Sequence, residues 1–167
     1  FCQSGESGGV YMGDGTLRTY LVVIDETPEA EMALRFAARR AYKTGGAVEI
    51  LAIIPPQEFV AWGGVQATIE DEAREHAEEV VRRAIDTLGE EGGIAPTITV
   101  KHGDAAAAVH EALNDNAGIA ALVLGASALG APGPLVAHFA GAQAGNLPCP
   151  IMVVPGSLSR EALDRLS

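Results

Sequence analysis

Short apolar segments alternate with amphipathic helical segments along most of this chain, and this alternation limits the folds open to it. The apolar segments have the length and composition of buried strands. They lie at 19–25, 47–54, 96–101, 120–124 and 151–154. Strands that alternate with helices and connect by right-handed crossovers form a parallel sheet. We therefore predict an α/β fold: an open, doubly wound, five-stranded parallel sheet of order 3-2-1-4-5 with helices on both faces.

Capping residues mark where the helical segments start. Side chains of Ser, Thr and Asp accept hydrogen bonds from the first backbone N–H groups of a helix, and proline suits the first helical position. The predicted helices begin after Thr27, near residue 68, after Asp104, at Pro134 and after Ser159. We expect the second helix to run to Leu88 and the fourth to reach Ala144.

The length of 167 residues fits one domain with a buried core. Residues 1–16 are rich in glycine and poor in apolar side chains, so we expect a flexible N-terminal tail. Residues 17–155 are predicted to form the domain. Residues 156–167 are predicted to form a C-terminal extension with a short helix.

The formal net charge of −11 comes from 22 acidic against 11 basic residues. Such a surface repels the phosphates of nucleic acids and of anionic membranes. No apolar stretch approaches the ~20 residues that span a bilayer, and no secretory signal pattern is visible. We expect a cytoplasmic protein with no nucleic-acid or membrane partner.

A glycine-containing loop follows the fourth strand, from Gly125 to Gly133, and also includes Gly130. In the predicted order the chain adds strands in one direction from strand one to strand three and in the opposite direction from strand four. Open α/β sheets bind ligands at such a switch point, which lies between strands one and four. Asp25 ends strand one and Gly125 ends strand four, so an acid and a glycine loop would face each other across one cleft. This arrangement predicts a pocket, whereas the alternative is an ordinary strand-to-helix connection.

Several catalytic and cofactor motifs are missing. The turn after strand one has no glycine, so the dinucleotide fingerprint is absent, and no Gly-Lys-Ser/Thr of a P-loop occurs. The histidines, at 76, 102, 110 and 138, lack the spacing typical of zinc ligands. We therefore predict no metal site and no enzymatic activity. Trp62 and Phe59 are candidates for a lid over the cleft or for packing on their own domain.

The segments V-V-I-D-E-T-P-E, E-I-L-A-I-I, L-V-L-G-A-S and P-C-P-I-M-V-V-P make the chain resemble the universal stress protein family over about residues 18–155. The resemblance implies the five-stranded fold and membership of either a nucleotide-binding or a non-binding branch, with ATP or AMP and Mg²⁺ as the candidate ligands of the binding branch. It implies that Asp25 contacts ribose or adenine, that Ile53 contacts adenine and that Gly125 begins the phosphate loop. It also implies a homodimer through the fifth strand, by way of Ile151, Met152, Val153 and Val154.

The chain departs from the ATP signature of that family, which is Gly, two residues, Gly, nine residues, Gly, then Ser or Thr. Counting from Gly125 places Ala128 at the second glycine and His138 with Phe139 at the final pair. The nearby small residues, Ser127, Gly130 and Gly133, are substitutes only if the loop is rearranged. We therefore expect ATP to bind no more tightly than AMP or ADP, because the γ-phosphate lacks its hydrogen-bond donors.

Three functions remain open after these observations. The first is a non-catalytic stress-response module that binds an adenine nucleotide, AMP, ADP or ATP, between strands one and four. The second is a nucleotide-free dimeric module that acts on an unidentified protein partner. The third is a slow nucleotide hydrolase, for which no residue stands out as the base.

Overall fold

The computed structural model describes residues 17–55 and 65–167. The predicted tail at 1–16 and the candidate lid residues Phe59 and Trp62 lie outside them. The elements are β1 (Thr19–Ile24), α1 (Pro28–Thr44), β2 (Ala47–Ile54), α2 (Val65–Glu90), β3 (Thr97–His102), α3 (Ala105–Asp115), β4 (Ile119–Ala126), α4 (Pro134–Ala137), β5 (Ile151–Pro155) and α5 (Arg160–Leu166). Each predicted strand is present, with its bounds shifted by at most two residues.

All neighbouring strands pair in parallel, and the sheet order is β3-β2-β1-β4-β5. The predicted fold class and strand order are confirmed. Since β1 is central, its side chains are buried on both faces and alternate between two cores. Tyr20, Val22 and Ile24 pack toward α1 and α2. Leu21 and Val23 pack toward α3 and the segment that contains α4.

The predicted helix caps are also present. Thr27 accepts a hydrogen bond from the backbone of Ala30 at 3.3 Å, with Pro28 in the first position of α1. Asp104 accepts one from Ala107 at 3.0 Å. Ser159 caps α5, which buries Leu163 completely in the core on the α1 side.

The predicted fourth helix over 134–144 is wrong. The α-helix ends at Ala137 and is followed by a π-helical turn, His138–Ala142, and a 3₁₀ turn, Ala144–Asn146. Gly141 leaves the helical region, with φ −99° and ψ −108°. Glycine is a poor helix former because it loses the most backbone freedom, and this segment contains two of them, Gly141 and Gly145.

The fifth strand lies at one edge of the sheet. Its side chains divide between the two faces: Ile151 joins the core on the α3 side, whereas Met152 and Val154 join the core on the α1 side. Val154 is only 3 % exposed and Val153 is 40 % exposed. Of the residues predicted to form the dimer interface, Val153 is therefore the most accessible. No helix in the two described ranges is long and apolar enough to cross a membrane.

Candidate functional site

A cavity of about 820 Å³ lies at the carboxyl ends of β1 and β2. Its floor is formed where these strands end, its side wall by α2, and its far rim by the start of α3. Most of its lining side chains are apolar: Val23, Ile24, Ala52, Ile53, Ile54, Ile69, Ala73, Ala77, Val80 and Leu135. Clefts of this size with an apolar lining and few polar groups are typical of small-molecule sites.

Asp25 lies on the cavity wall directly after β1 and is exposed. Its Oδ1 accepts two hydrogen bonds from Thr27, one from the backbone N–H at 2.8 Å and one from the hydroxyl at 2.5 Å. These bonds orient the carboxylate at the start of α1. Within the described part of the chain no group donates to Oδ2, which therefore remains an acceptor for a ligand hydroxyl or amine.

The charged side chains around the cavity are nearly all acidic. Asp25, Glu26, Glu72 and Asp104 line it, and the one basic side chain among the described lining residues is His76. His76 lies 3.2 Å from the carboxylate of Glu26. The site therefore has a negative potential that disfavours anionic ligand groups.

Two helices begin at the cavity, but their N-termini are already capped. Thr27 receives the N–H of Ala30 at α1, and Asp104 receives the N–H of Ala107 at α3. Free backbone N–H groups at helix starts bind phosphates. At each helix start here, a side chain already accepts a hydrogen bond from one of these N–H groups. A carboxylate is also present at each start, that of Asp25 at α1 and that of Asp104 at α3.

The glycine loop after β4 does not line this cavity; the nearest contribution from that region is Leu135. The loop closes on itself, since the N–H of Ser127 donates to the carbonyl of Pro132 at 3.1 Å and the N–H of Leu129 donates to the Ser127 hydroxyl at 3.2 Å. Gly130 and Gly133 adopt φ values of 81° and 109°, which explains why glycine is needed there. The backbone N–H groups of Ser127 and Leu129 are thus hydrogen-bonded within the loop.

Gly125 has a packing role that the sequence analysis did not anticipate. It lies inside β4 and pairs with Val154, so the strand does not end there. A methyl group at this position would overlap the backbone carbonyl of Glu29 in the first turn of α1. The missing side chain of Gly125 is what lets α1 approach the sheet this closely.

The structure thus separates the predicted nucleotide-binding residues into two groups. Asp25 and Ile53 share the cavity. Gly125, Ser127, Gly130 and Gly133 lie outside its lining, so a contact between them and a ligand stays a prediction. At the positions of the final signature pair, His138 is half-buried and Phe139 is completely buried. Phe139 is a core residue with no hydroxyl to offer a phosphate.

Sequence analysis also missed several contributors to the cavity. The apolar stripe of α2, including Ile69, Ala73 and Ala77, forms the cavity wall. A helical stripe of this kind is typical of core packing, so nothing in its pattern distinguished the two roles. The pairing of His76 with Glu26 joins residues fifty positions apart and has no local signature.

The family model described as "Universal stress protein family" matches residues 16–155. The chain belongs to the universal stress protein family. The search of curated proteins found no significant match.

Solved structures of universal stress proteins share the fold. UspA from Lactobacillus plantarum is 16 % identical with a TM-score of 0.68, over 84 % of this chain and 99 % of that one. The Archaeoglobus fulgidus protein in complex with dAMP is 17 % identical with a TM-score of 0.57, over 83 % and 97 %. A family protein from Arabidopsis thaliana with AMP bound is 14 % identical with a TM-score of 0.54, over 83 % and 91 %. At these identities the likeness establishes the fold alone.

Proposed function

We propose that this universal stress protein is a non-catalytic stress-response module that binds the adenosine part of an adenine nucleotide in the cavity at the ends of β1 and β2. The observation that carries the proposal is that Asp25 and Ile53 lie on the wall of one cavity of about 820 Å³. In this arrangement Ile53 contacts the base, and the Oδ2 atom of Asp25 accepts a hydrogen bond from a ribose hydroxyl or from the adenine amine. The AMP and dAMP complexes of the Arabidopsis and Archaeoglobus proteins support this choice of ligand.

The phosphates contribute little to binding in this proposal. The cavity has an acidic lining, the helix starts beside it are capped, and the glycine loop uses its Ser127 and Leu129 donors internally. Each added phosphate brings negative charge toward carboxylates, which opposes binding. AMP and adenosine are therefore preferred over ATP, and Mg²⁺ would enter only as the counterion of a polyphosphate.

Calorimetric titration of the full chain with adenosine, AMP and ATP tests the proposal. We expect saturable binding of adenosine and AMP at one site per chain, with no phosphate release from ATP. A chain that binds neither adenosine nor AMP would contradict the proposed ligand. Release of phosphate from ATP in proportion to the concentration of this protein would favour the slow hydrolase.

A second candidate function is a dimeric interaction module that needs no nucleotide. The observation that favours it is the edge strand β5, a five-residue strand that follows Pro150 and ends at Pro155, in which Val153 is 40 % exposed. An edge strand presents unpaired backbone groups, and antiparallel pairing with a second copy about a two-fold axis would satisfy both. An unidentified protein partner would then bind the dimer.

The opposite edge of the sheet offers a matched control for the dimer. Val100 on β3 is 46 % exposed, so Val153→Lys and Val100→Lys add the same charge to two comparable edge strands. We expect light scattering to show a dimer that Val153→Lys dissociates and Val100→Lys leaves intact. A monomeric parent protein at high micromolar concentration, or equal effects of both variants, would exclude dimerisation through β5.

A further inference from the structure

The outer edge of β3 lacks the features that usually protect an edge strand. β3 is at one end of the strand order, so within the described residues no strand pairs with its outer side. Edge strands are commonly protected by proline or by a lysine side chain that extends into solvent. β3 contains no proline, and the side chain of Lys101 is only 16 % exposed, with its Nζ 3.0 Å from Glu111 and 3.5 Å from Asp115 on α3. This edge is therefore accessible to another strand.

The backbone of β3 presents a row of hydrogen-bonding groups at this edge. The N–H of Gly103 donates to the carbonyl of Ile54 at 2.9 Å, so the backbone of Gly103 faces β2. In a parallel strand the backbone groups of successive residues point alternately to its two sides. Those of Ile98, Val100 and His102 therefore point to the outer edge. A second extended backbone is the structure that pairs with such a row.

Two of the same residues also present exposed apolar side chains. Ile98 and Val100 lie in register with Ile50 and Ala52, which belong to the core on the α1 side. Side chains of register partners lie on the same face of a sheet. Ile50 and Ala52 are buried, but Ile98 is 38 % and Val100 is 46 % exposed. The apolar row on this face thus continues beyond the part of the sheet that the helices cover.

A groove of about 290 Å³ lies between α2 and β3, next to this row. Its apolar lining consists of Ile54, Ala77, Val81 and Val100. Ile85, one helical turn after Val81, is 42 % exposed. When a strand is added to a sheet edge, every second side chain lies on the same face and can enter such a groove. The groove and the backbone row therefore fit the same kind of occupant, an extended segment.

The polar rim of the groove indicates the charge of that segment. Arg74, Glu78 and His102 line it, and within the described part of the chain none of the three has an ion pair. Arg74 and His102 also line the space at the carboxyl end of β3, together with Gly103. They favour an acidic side chain at that end, whereas Glu78, one turn further along α2, disfavours a second one.

We propose that the outer edge of β3 and the groove beside it bind an extended segment of a partner protein by strand addition. The segment carries alternate β-branched apolar side chains toward α2 and one acidic residue next to Arg74. Main-chain hydrogen bonds then supply affinity, and the groove supplies specificity for the alternate side chains. An antiparallel orientation is expected because it is slightly more stable per residue than a parallel one. This binding requires neither the proposed nucleotide nor a dimer through β5.

A ¹H–¹⁵N NMR titration of the full chain with a model peptide tests the surface. The peptide has about seven residues, with valine alternating with threonine and one aspartate at its N-terminal end. We expect saturable shifts and slower hydrogen exchange of the Ile98 and Val100 amides. Val100→Lys brings a charge into the groove and should weaken binding by about tenfold or more. Leu166→Lys, at a 56 % exposed position on α5, adds the same charge elsewhere and should bind like the parent.

A second peptide tests strand addition without any change to the protein. It has the same sequence but is N-methylated at the residues whose N–H groups would face β3, so it keeps the side chains and loses the main-chain donors. We expect no binding of this peptide. The proposal is overturned if the β3 amides do not respond to the first peptide, if both peptides bind equally, or if a folded Val100→Lys variant binds like the parent. Ile98 and Val100 amides that shift with protein concentration alone would assign the edge to a second copy of the chain and would also overturn it.

Discussion

The two halves of the carboxyl edge of the sheet are built differently. On the β1–β2 side the chain leaves a cavity lined by Asp25 and Ile53. On the β4 side the loop closes on itself through Ser127, Pro132 and Leu129. The same topology thus provides a ligand-sized space in one half and a self-bonded connection in the other. The comparison shows that one strand order can give two different local structures at the same edge, and that hydrogen bonds within the loop after β4 make the difference.

The largest expected effect is the loss of folding stability on substitution of Gly125, which the sequence pattern predicts to contact a ligand. Gly125→Ala would place a methyl group against the carbonyl of Glu29, and backbone cannot yield as a flexible side chain does. We expect the free energy of unfolding to fall by about 3 kcal/mol, measured by urea denaturation. Gly145→Ala is the control, because a methyl group there meets nothing within 4 Å. Equal stability of the Gly125 variant and the parent would show that α1 is not packed this closely.

The second effect concerns AMP binding in the cavity at the ends of β1 and β2. Asp25→Ala removes the carboxylate that we expect to accept hydrogen bonds from the ligand, and it also removes the bonds to Thr27. AMP binding should weaken by about 1–3 kcal/mol in calorimetry. Circular dichroism of the variant checks that the start of α1 is retained. Unchanged AMP affinity in a folded variant would remove Asp25 from the site.

The third prediction compares ligands that differ in phosphate number. ATP should bind no more tightly than AMP, because the cavity is acidic and Phe139 replaces a hydroxyl residue of the signature. Raising the salt concentration should improve ATP binding relative to adenosine binding, since salt screens the repulsion. Paired titrations with and without magnesium measure this. A tenfold preference for ATP over AMP, about 1.4 kcal/mol, would contradict the account.

The smallest effect on AMP affinity is expected from a substitution in the loop after β4. Ser127→Ala removes the hydroxyl that accepts from the N–H of Leu129, and Ser127 is not among the residues that line the cavity. The affinity for AMP should change by less than about 0.5 kcal/mol in the same calorimetric assay. A loss as large as that of Asp25→Ala would show that the loop opens to hold the phosphate.

Most of the fold could be predicted from the sequence because its signals are local. The apolar strands, the caps at Thr27, Asp104 and Ser159 and the strand order were all predicted correctly. The fourth helix was the exception. Its apolar residues have helical spacing, but the glycines at 141 and 145 weaken the helix, and burial of Phe139 is satisfied by a π-helical turn instead.

The candidate site was less predictable, because its determinants are contacts between distant residues. The sequence places Asp25 and Gly125 at the ends of adjacent strands, but it does not show that α1 fills the space beside Gly125. Nor does it show that the loop donors bond within the loop, or that His110 and His138 meet across 28 positions. Such features follow from how helices pack on the sheet.

The most direct test of the central claim is an ¹H–¹⁵N NMR titration of the full chain with AMP. The claim is that the ligand occupies the cavity half of the carboxyl edge and leaves the glycine loop unused. It predicts that the backbone amides of Asp25, Ile53 and Ala105, which line the cavity, shift in a saturable manner while those of Leu129 and Gly130 stay in place. Saturable shifts confined to Leu129 and Gly130 would contradict it.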